Sequence, residues 1–282
     1  MGDVCWASII INSYNYARYV GQAIDSALDQ TYPHTEVVVV DDGSTDDSRA
    51  VLAGYGDRVR AVLKDNGGQA SSFNAGLRAS RGDVVFFLDS DDALLPTAVA
   101  RAVEHFRDPE VVKVHWPLWE IDVQGRKTGK VWPFWGELAD GNVRDAVIRG
   151  GPLAYVWPPT TGNAWARWFL ESIFPMPEAD YRTCPDLYLS TLAPLFGPIR
   201  RLREPQGFWR WHGQNRSWSD PIAERLGVLR GRTDRCCDAL GQWCRRRGLD
   251  VDVEAYRAAW KSQPLLQWLD QTQCMKEEIA AL

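Results

Sequence analysis

Apolar residues in the first part of the chain follow two different spacings. Short continuous apolar runs, typical of strands buried on both faces, occupy residues 7–11, 37–40, 59–63 and 84–88. Between the first two runs, Val20, Ile24 and Leu28 recur four positions apart, as on one face of a helix. Phe73 and Leu77 mark another helix before the fourth run. This alternation predicts an α/β fold with a mostly parallel sheet flanked by helices.

The pattern changes after the fourth run and its helix. Short strand-like runs at residues 111–116, 118–122 and 127–132 are separated by turns, which predicts antiparallel pairing. Further short elements are expected in this half: a helix ending at residue 150, a helix over 165–171, a helix beginning at Leu187 and a strand near 199–202. This half therefore reads as a smaller, mixed β/α unit attached to the sheet.

From residue 221 onward the chain reads as helical. Cys236, Leu240 and Trp243 belong to one apolar stripe, while basic clusters include Arg225, Arg232, Arg235 and residues 245–247. The basic residues are interpreted either as a solvated helix face or as a peripheral contact with anionic membrane lipid. The last segment, 256–282, is expected to form helices that pack on the domain or on a second copy in a homodimer. We divide the chain into residues 1–106, 107–218 and 219–282.

Acidic residues follow the fourth apolar run directly. Asp89, Asp91 and Asp92 stand at the predicted carboxyl end of the strand, where crowded carboxylates repel each other unless a cation neutralises them. A hard divalent cation prefers oxygen ligands and leaves positions for phosphate oxygens. One interpretation is therefore a metal–diphosphate site. The other is that Asp91 or Asp92 caps a helix that starts near Leu95 and Pro96.

Polar clusters follow all four predicted strands, and in parallel sheets ligands bind outside the carboxyl ends of the strands. The clusters are residues 13–15, 41–42, 64–68 and 89–92, and we expect them to converge on one edge of the sheet. The first strand is not followed by G-x-G-x-x-G, and the chain has no G-x-x-x-x-G-K-[ST], so a dinucleotide cofactor and a P-loop are not predicted.

Composition narrows the class further. The chain has 282 residues, 45% of them hydrophobic, and a net charge of -5, which gives no basic footprint for nucleic acid. No apolar run approaches the roughly 20 residues that span a bilayer, and the N-terminal residues lack the layout of a secretion signal. We therefore expect a cytoplasmic protein, in which the six cysteines are free thiols and Cys236, Cys237 and Cys244 pack in the core.

Four motifs together resemble the family 2 glycosyltransferases of GT-A fold. They are Ser-Tyr-Asn at 13–15, Val-Asp-Asp-Gly-Ser-Thr-Asp at 40–46, Asn-Gly-Gly-Gln-Ala-Ser at 66–71 and Leu-Asp-Ser-Asp-Asp at 88–92. The resemblance covers residues 5–105 closely and continues loosely to about 218. It implies an inverting enzyme that uses a nucleotide-diphosphate sugar, UDP-linked by preference, together with Mn²⁺ or Mg²⁺.

The resemblance also implies roles for individual residues. Tyr14 would stack on the base, Asp41 or Asp42 would bind the base or ribose, and Asp91 would be the main metal ligand. Asp89 or Asp92 would lie near the ribose, metal or sugar. The predicted donor-binding set also contains Asn12, Asn15, Asn66, Gln69, Ser90 and Arg210. Asn12 departs from the family pattern, in which many relatives have proline at the strand end.

Asp186 is the candidate general base. Inverting transfer needs one carboxylate to accept the proton of the acceptor hydroxyl, on the side opposite the leaving diphosphate. In the family an acidic residue just before a helix in this region serves that role. The alternative for Asp186 is a helix N-cap, and Asp180 and Glu178 are alternative bases. The helix N-terminus is expected to lower the pKa of Asp186, and partial burial or nearby acids to restore it.

Other candidates lie in polar loops of the second half. Arg210 and His212 are predicted to face the diphosphate and the metal, since relatives carry a similar Arg-x-His loop. Thr161, Asn163, Trp211 and Asp92 are weaker candidates for contacts with donor sugar or acceptor; for Asn163 a helix cap is the alternative. The tryptophans of this half, most of them core residues, could include a few that stack on sugar.

The predicted function is transfer of a single sugar to a hydroxyl of a saccharide or lipid-linked saccharide, in cell-surface or extracellular polysaccharide or glycolipid assembly. The Gln206 to Trp211 spacing differs by one residue from the Gln-x-x-Arg-Trp of processive members, which argues against a polymer synthase. The alternatives are a sugar-1-phosphate nucleotidyltransferase, which would need a Gly-rich basic loop after the first strand, and an inactive carbohydrate-binding protein.

Overall fold

A computed structural model describes residues 5–134, 136–213, 215 and 222–262. Its first half contains the predicted alternation of strands and helices, and its second half contains shorter elements. The strands are β1 (Ala7–Ser13), β2 (Thr35–Asp42), β3 (Arg60–Lys64), β4 (Val84–Asp89), β5 (Ala93–Leu94), β6 (Lys113–His115), β7 (Leu118–Ile121), β8 (Lys127–Trp132), β9 (Asn163–Ala166), β10 (Ile199–Arg201) and β11 (Gly207–Arg210).

The α-helices lie between and after these strands. They are α1 (Ala17–Leu28), α2 (Ser48–Ala53), α3 (Gln69–Ala79), α4 (Ala98–His105), α5 (Arg144–Gly150), α6 (Arg167–Ile173), α7 (Asp186–Leu192), α8 (Ile222–Arg246) and α9 (Val253–Ser262). The predicted α/β fold class is confirmed. None of the helices in the described ranges is long and apolar enough to cross a membrane.

Seven strands form the main sheet, in the order β10-β6-β9-β4-β1-β2-β3. Every neighbouring pair is parallel except the two that involve β9, which runs antiparallel to both β4 and β6. Two reversals restore the direction, so β6 and β10 run parallel to β4. The carboxyl ends of six strands therefore lie on one edge of the sheet.

Both faces of this sheet are covered, which explains why its strands are continuous apolar runs. Successive side chains of β1 point to opposite faces: Ile10 belongs to the hydrophobic core on one side, and Ile9 and Ile11 to the core on the other. The Ile10 core is closed by α3, α6, α7 and α8, and the Ile9 core by α1, α2 and α4.

A second sheet of four strands, ordered β5-β11-β7-β8, stands beside the carboxyl edge of the first. β7 and β8 pair antiparallel, as predicted, whereas β11 pairs parallel to β7 and antiparallel to β5. Because β5 follows β4 after only three residues, the acidic segment between them is fixed at both ends.

The C-terminal helices pack on the same core. Cys236, Cys237, Leu240 and Cys244 of α8 and Tyr256 of α9 all belong to the core that contains Ile10. The five cysteines in the described part of the chain are free thiols, as predicted; Cys274, like the rest of the predicted last segment beyond residue 262, lies outside it.

Two helix predictions are wrong in detail. The helix predicted near Leu95 begins at Ala98, after Thr97, so Asp91 and Asp92 do not cap it. The helix predicted over residues 165–171 begins at Arg167, because residues 163–166 form β9 in the middle of the sheet. A four-residue apolar segment carries no periodicity that would separate a strand from a helix turn.

Candidate active site

A cavity of about 210 Å³ opens at the carboxyl edge of the main sheet. Residues from all four predicted clusters line it, as do residues from the second half of the chain. The lining includes Asn12, Tyr14, Asp42, Asn66, Gln69, Asp89, Ser90, Asp91, Asp92, Thr160, Arg182, Thr183, Cys184, Asp186, Trp209 and Asn215. The structure therefore brings the four clusters together, as the parallel order predicts.

Asp91 and His212 form the centre of this edge. His212 Nε2 lies 2.9 Å from Asp91 Oδ2, although the two residues are far apart in sequence. The His212 ring stacks on Tyr19 at a centroid distance of 5.5 Å, and its backbone N–H donates to Asn215 Oδ1 at 2.9 Å. Asn215 in turn donates to the carbonyl of Arg210, so the imidazole is held in place from two sides.

This pair suits a divalent cation that arrives with a phosphate ligand. Within the described ranges, no three His, Cys, Asp or Glu side chains form a cluster that could hold a metal alone. Mg²⁺ and Mn²⁺ sites for nucleotides commonly use one or two protein ligands, with phosphate oxygens and water completing the shell. Asn12 Oδ1 and Ser13 Oγ, at the adjacent strand end, are buried without a hydrogen-bond partner, as expected of groups that await a polar ligand.

Asp89 and Asp92 flank Asp91 in different environments. Asp89 Oδ1 accepts a hydrogen bond from Gln69 Nε2 at 3.0 Å, and burial together with the charges of Asp91 and Asp186 raises its pKa to about 7. Asp92 accepts hydrogen bonds from Thr161 Oγ1 at 2.6 Å and from the backbone N–H of Arg210 at 2.9 Å. Burial, with Asp91 and Asp89 beside it, raises the pKa of Asp92 well above its usual range.

Asp92 and Thr161 therefore bind each other, although both were predicted as weak sugar contacts. The Asp92 side chain joins β11 and the segment before β9 to the end of β4. Both residues are almost fully buried, and Thr160, not Thr161, lines the cavity. In this structure the Asp92–Thr161 pair positions the site, and Asp91 is the carboxylate of this strand end that contacts His212.

Asp186 approaches the cavity from the opposite side. It is the first residue of α7 and is half-buried; the N-cap is Pro185, so the N-cap interpretation of Asp186 is wrong. Burial raises its pKa to about 6, an effect that the nearby charges of Arg232 and Lys113 partly oppose. The expected lowering by the helix N-terminus is thus outweighed by desolvation, as the alternative of partial burial anticipates.

One end of the cavity is shaped by Asp42. Its carboxylate accepts hydrogen bonds from the backbone N–H groups of Gly67 at 2.9 Å and Gly68 at 2.7 Å, and from Lys64 Nζ at 2.5 Å. Asp41, in contrast, is bound to Arg49 Nε at 2.7 Å and does not line the cavity. Of the two acids left open by the sequence, Asp42 is therefore the one that reaches the site.

Arg210, predicted to contact the diphosphate, has a structural role. Arg210 is 1% exposed, and its guanidinium donates to the carbonyls of Asp91 at 2.7 Å and Asp122 at 2.9 Å and to Gln22 Oε1 at 2.5 Å. It is therefore committed to holding the Asp91 backbone, and the prediction that it binds the diphosphate is corrected to a positioning role.

Three other predicted contacts lie outside the cavity lining. The Asn15 side chain accepts from the backbone N–H of Thr45 at 2.7 Å, which ties the first two strand ends together. The amide of Asn163 is fully buried and donates to backbone carbonyls of the preceding turn, including Pro159 at 2.8 Å. Asn163 is not the N-cap of the following helix α6, because that position is Ala166. Trp211 packs on Trp209, which lines the cavity in its place, at a centroid distance of 5.7 Å.

Residues 182–184 are not among the predicted site residues, although all three line the cavity. This segment is docked on the start of α3: Gln69 N–H donates to the carbonyl of Arg182 at 2.9 Å, and Cys184 N–H donates to Gln69 Oε1 at 3.0 Å. Gly68, at φ +92°, allows the contact, since a Cβ there would lie 2.7 Å from the Arg182 carbonyl oxygen. The sequence gives no signal for this pairing, apart from the closeness of Arg182 to Asp186.

Comparisons with known proteins agree with this geometry. The family model described as glycosyl transferase family 2 matches residues 8–155, more than half of the chain. The chain belongs to this family. It is 37% identical over 216 residues to an uncharacterised glycosyltransferase of Nostoc sp., covering 75% of this chain and 66% of that protein. It is also 41% identical over 96 residues to one from Rickettsia prowazekii, covering 34% of this chain and 30% of that protein.

Solved structures show the same fold at low sequence identity. S. aureus TarS 1–349, in complex with UDP-GlcNAc, superposes with a TM-score of 0.60 at 18% identity, covering 84% of this chain and 71% of that one. The mannosyltransferase PcManGT from Pyrobaculum calidifontis, in complex with GDP-Man and Mn²⁺, gives 0.56 at 17%, covering 99% and 81%. Glucosyl-3-phosphoglycerate synthase from Mycobacterium tuberculosis, with Mg²⁺ and UDP, gives 0.54 at 22%, covering 82% and 79%.

Proposed function

We propose that the protein is an inverting glycosyltransferase that moves one sugar from a nucleotide-diphosphate sugar to an acceptor hydroxyl. The observation that carries this proposal is that Asp91 and Asp186 line one cavity, with His212 Nε2 lying 2.9 Å from Asp91 Oδ2. Displacement at an anomeric carbon needs a stabilised leaving group on one face and a base on the other. The strand-end residues supply the first side and α7 supplies the second.

On the leaving-group side, Asp91 and His212 would hold Mn²⁺ or Mg²⁺. The cation would supply charge to stabilise the departing nucleoside diphosphate. The buried clamp of Arg210 on the Asp91 carbonyl fixes the backbone that carries the carboxylate. Stacking of His212 on Tyr19 keeps the imidazole facing Asp91.

On the acceptor side, Asp186 would accept the proton of the attacking hydroxyl. A carboxylate with a pKa of about 6 is still mostly ionised at neutral pH, and it is a stronger base than an ordinary aspartate. Its half-buried position at the cavity wall excludes part of the surrounding water, which would otherwise compete as acceptor.

For the donor, we propose a UDP-sugar. Tyr14 would stack on the base, and Asp42, Asn66 and Gln69 would surround the base and ribose. Two of the solved structures of this fold described above hold UDP or UDP-GlcNAc, and a third holds GDP-Man, so the base itself needs testing. The acceptor would be a saccharide or lipid-linked saccharide in cell-surface or extracellular polysaccharide or glycolipid assembly.

A screen of nucleotide sugars tests the proposal directly. Purified protein is incubated with UDP-, GDP- and ADP-sugars, with Mn²⁺ or with EDTA, and slow transfer to water is measured as release of nucleoside diphosphate. We expect release from one class of donor only, dependent on the metal. Absence of both release and thermal stabilisation with every donor would contradict the proposal.

A further inference from the structure

The C-terminal helix α8 brings an arginine to the edge of the active-site cavity. Arg232 Nη2 lies 3.4 Å from Thr183 Oγ1, and Thr183 lines the cavity. The charge of Arg232 also reaches Asp186, whose pKa it lowers. Arg182 precedes Thr183 in the chain, lines the same cavity and donates to Asn66 Oδ1. Two guanidinium groups therefore lie around Thr183, close to the proposed base.

Neither Arg182 nor Arg232 has a salt-bridge partner among the described residues. In the described part of the chain, no carboxylate oxygen lies within 4 Å of a nitrogen of Arg182 or Arg232. Arg232 Nε is buried and has no hydrogen-bond acceptor. Arg257, on the neighbouring helix, also has a buried Nε without a hydrogen-bond acceptor, but its guanidinium lies within 4 Å of Asp234, Asp238 and Glu254. A buried donor of a charged group left without an acceptor is costly, so a ligand oxygen is the expected partner.

The position of Arg232 near Asp186 does not help Asp186 to act as a base. A cation near Asp186 stabilises the carboxylate and weakens it as a proton acceptor. An arginine placed there therefore serves a purpose other than basicity. Guanidinium groups bind phosphate through paired hydrogen bonds. Arg182 lines the cavity, and Arg232 contacts Thr183, which also lines it.

We infer that the acceptor carries a phosphate group next to its attacking hydroxyl, and that Arg182 and Arg232 bind this phosphate beside Asp186. The inference rests on the proposed function, because it names the class of acceptor for the same site. It also gives α8 a direct part in acceptor choice. A phosphate bound there would offset the charge of Arg232 at the moment when Asp186 must accept a proton.

Binding of inorganic phosphate tests the inference. The full chain is first saturated with nucleoside diphosphate and Mg²⁺, so that the donor side is filled, and inorganic phosphate is then titrated by calorimetry. We expect one phosphate site, weakened about tenfold or more in Arg232→Gln and in Arg182→Gln, since each change removes hydrogen bonds from a charged group. Arg245→Gln, on an exposed part of the same helix, is the control and should bind phosphate like the wild type.

Two further arms identify the source of the phosphate. Glucose 6-phosphate is compared with glucose in the same titration, and vesicles of phosphatidylcholine with and without phosphatidic acid are compared by sedimentation. Dependence on Arg232 in either arm supports the inference and assigns the phosphate to a soluble sugar or to a lipid. Equal phosphate binding by wild type and Arg232→Gln, or none by the wild type, overturns it.

The outcome separates this inference from the proposed function. If the wild type does not bind nucleoside diphosphate, the proposed donor site is contradicted. Normal nucleoside diphosphate binding with no effect of Arg232 on phosphate would leave the donor site intact and reject only the phosphate-bearing acceptor. The nucleoside diphosphate affinity of each variant also reports whether it folds.

Discussion

The carboxylate of Asp186 is subject to two opposing effects. Burial raises its pKa, and the charges of Arg232 and Lys113 lower it, with a net value of about 6. Asp186→Asn keeps the size of the side chain but cannot accept the proton. We expect turnover to fall by about 10²-fold or more, with nucleoside diphosphate affinity nearly unchanged. Steady-state rates and calorimetry on both proteins measure the two quantities.

The same carboxylate predicts the pH dependence. Because Asp186 must be ionised to act as a base, the rate should fall as pH drops below about 6. Asp186→Asn should lack this acidic limb while retaining a low residual rate. Near wild-type turnover in Asp186→Asn would move the base elsewhere, and Asp180 and Glu178 would be tested next.

Asp91 makes a separate prediction about the metal. Since the described part of the chain adds no third His, Cys, Asp or Glu ligand to the Asp91–His212 pair, we expect Mn²⁺ to bind weakly alone and much more tightly with a nucleoside diphosphate. Nucleoside diphosphate affinity should therefore be roughly tenfold or more higher in Mn²⁺ than in EDTA, and Asp91→Ala should remove the difference. Equal affinities for the wild type in Mn²⁺ and in EDTA, measured by calorimetry, would reject the assignment.

At the scale of single residues, the sequence predicted the site well where a residue type has few alternative structural roles. Acids at a buried strand end and a histidine in a later loop indicate a shared site, and Asp91 and His212 do lie 2.9 Å apart. Arg210 shows the limit, since an arginine in that loop suits a diphosphate as well as it suits three carbonyl and amide oxygens. Which of these partners Arg210 binds depends on how deeply β11 is buried, and the residue types alone do not show that burial.

At the scale of elements, β9 is the feature that the sequence did not reveal. The alternation of runs and helices predicted β1 to β4 because each run is long, apolar and followed by a helix with regular spacing. β9 has four residues and is joined directly to α6, so its apolar residues extend the helical pattern that follows. Its place between β4 and β6 is set by tertiary contacts alone.

β6 contains a buried lysine with a measurable consequence. Lys113 is fully buried; its Nζ donates to Ser190 Oγ at 3.1 Å and lies 4.8 Å from the centre of the Trp165 ring. Burial lowers its pKa well below the usual value, so the folded state binds fewer protons than the unfolded state between that lowered pKa and about 10.4. Over this range the free energy of unfolding should rise with pH.

Lys113→Met tests this contribution. We expect the substitution to stabilise the protein by about 1–4 kcal/mol near neutral pH, because an apolar side chain replaces a buried titratable one. The gain should shrink as the pH rises towards about 10.4, since the cost of deprotonating the lysine on folding falls as the pH nears its unfolded-state pKa. Urea unfolding of both proteins between pH 6 and about 10 measures the difference; a gain independent of pH would contradict the explanation.

At the scale of the whole molecule, the C-terminal helices are part of the main core. Residues 219–282 were predicted as a C-terminal helical extension, and in its described part Leu240 and Cys237 are fully buried against the same core as Ile10. Periodicity shows that a helix has an apolar face and does not show which surface covers it.

We therefore expect Leu240→Ala to destabilise the whole folded protein. Removing this buried side chain should lower the free energy of unfolding by about 2–5 kcal/mol, the usual range for leucine to alanine in a core. If α8 belongs to the same cooperative unit, calorimetry should show one transition at a lower temperature in the variant. Leu63→Ala, at a side chain that is 57% exposed, is the control and should change little. A separate early transition for the helices would contradict a shared core.

The position of β9 in the sheet has a consequence for synthesis on the ribosome. β4, with the sequence Val-Val-Phe-Phe-Leu-Asp, emerges long before residues 163–166, which cover its free edge. At about 5–20 residues per second, this apolar strand waits several seconds with unpaired backbone groups on one side. A nascent chain that stalls within this interval would expose an unpaired, aggregation-prone strand edge. We therefore expect ribosome-associated chaperones to be needed most for chains arrested before β9 and least once β9 has inserted.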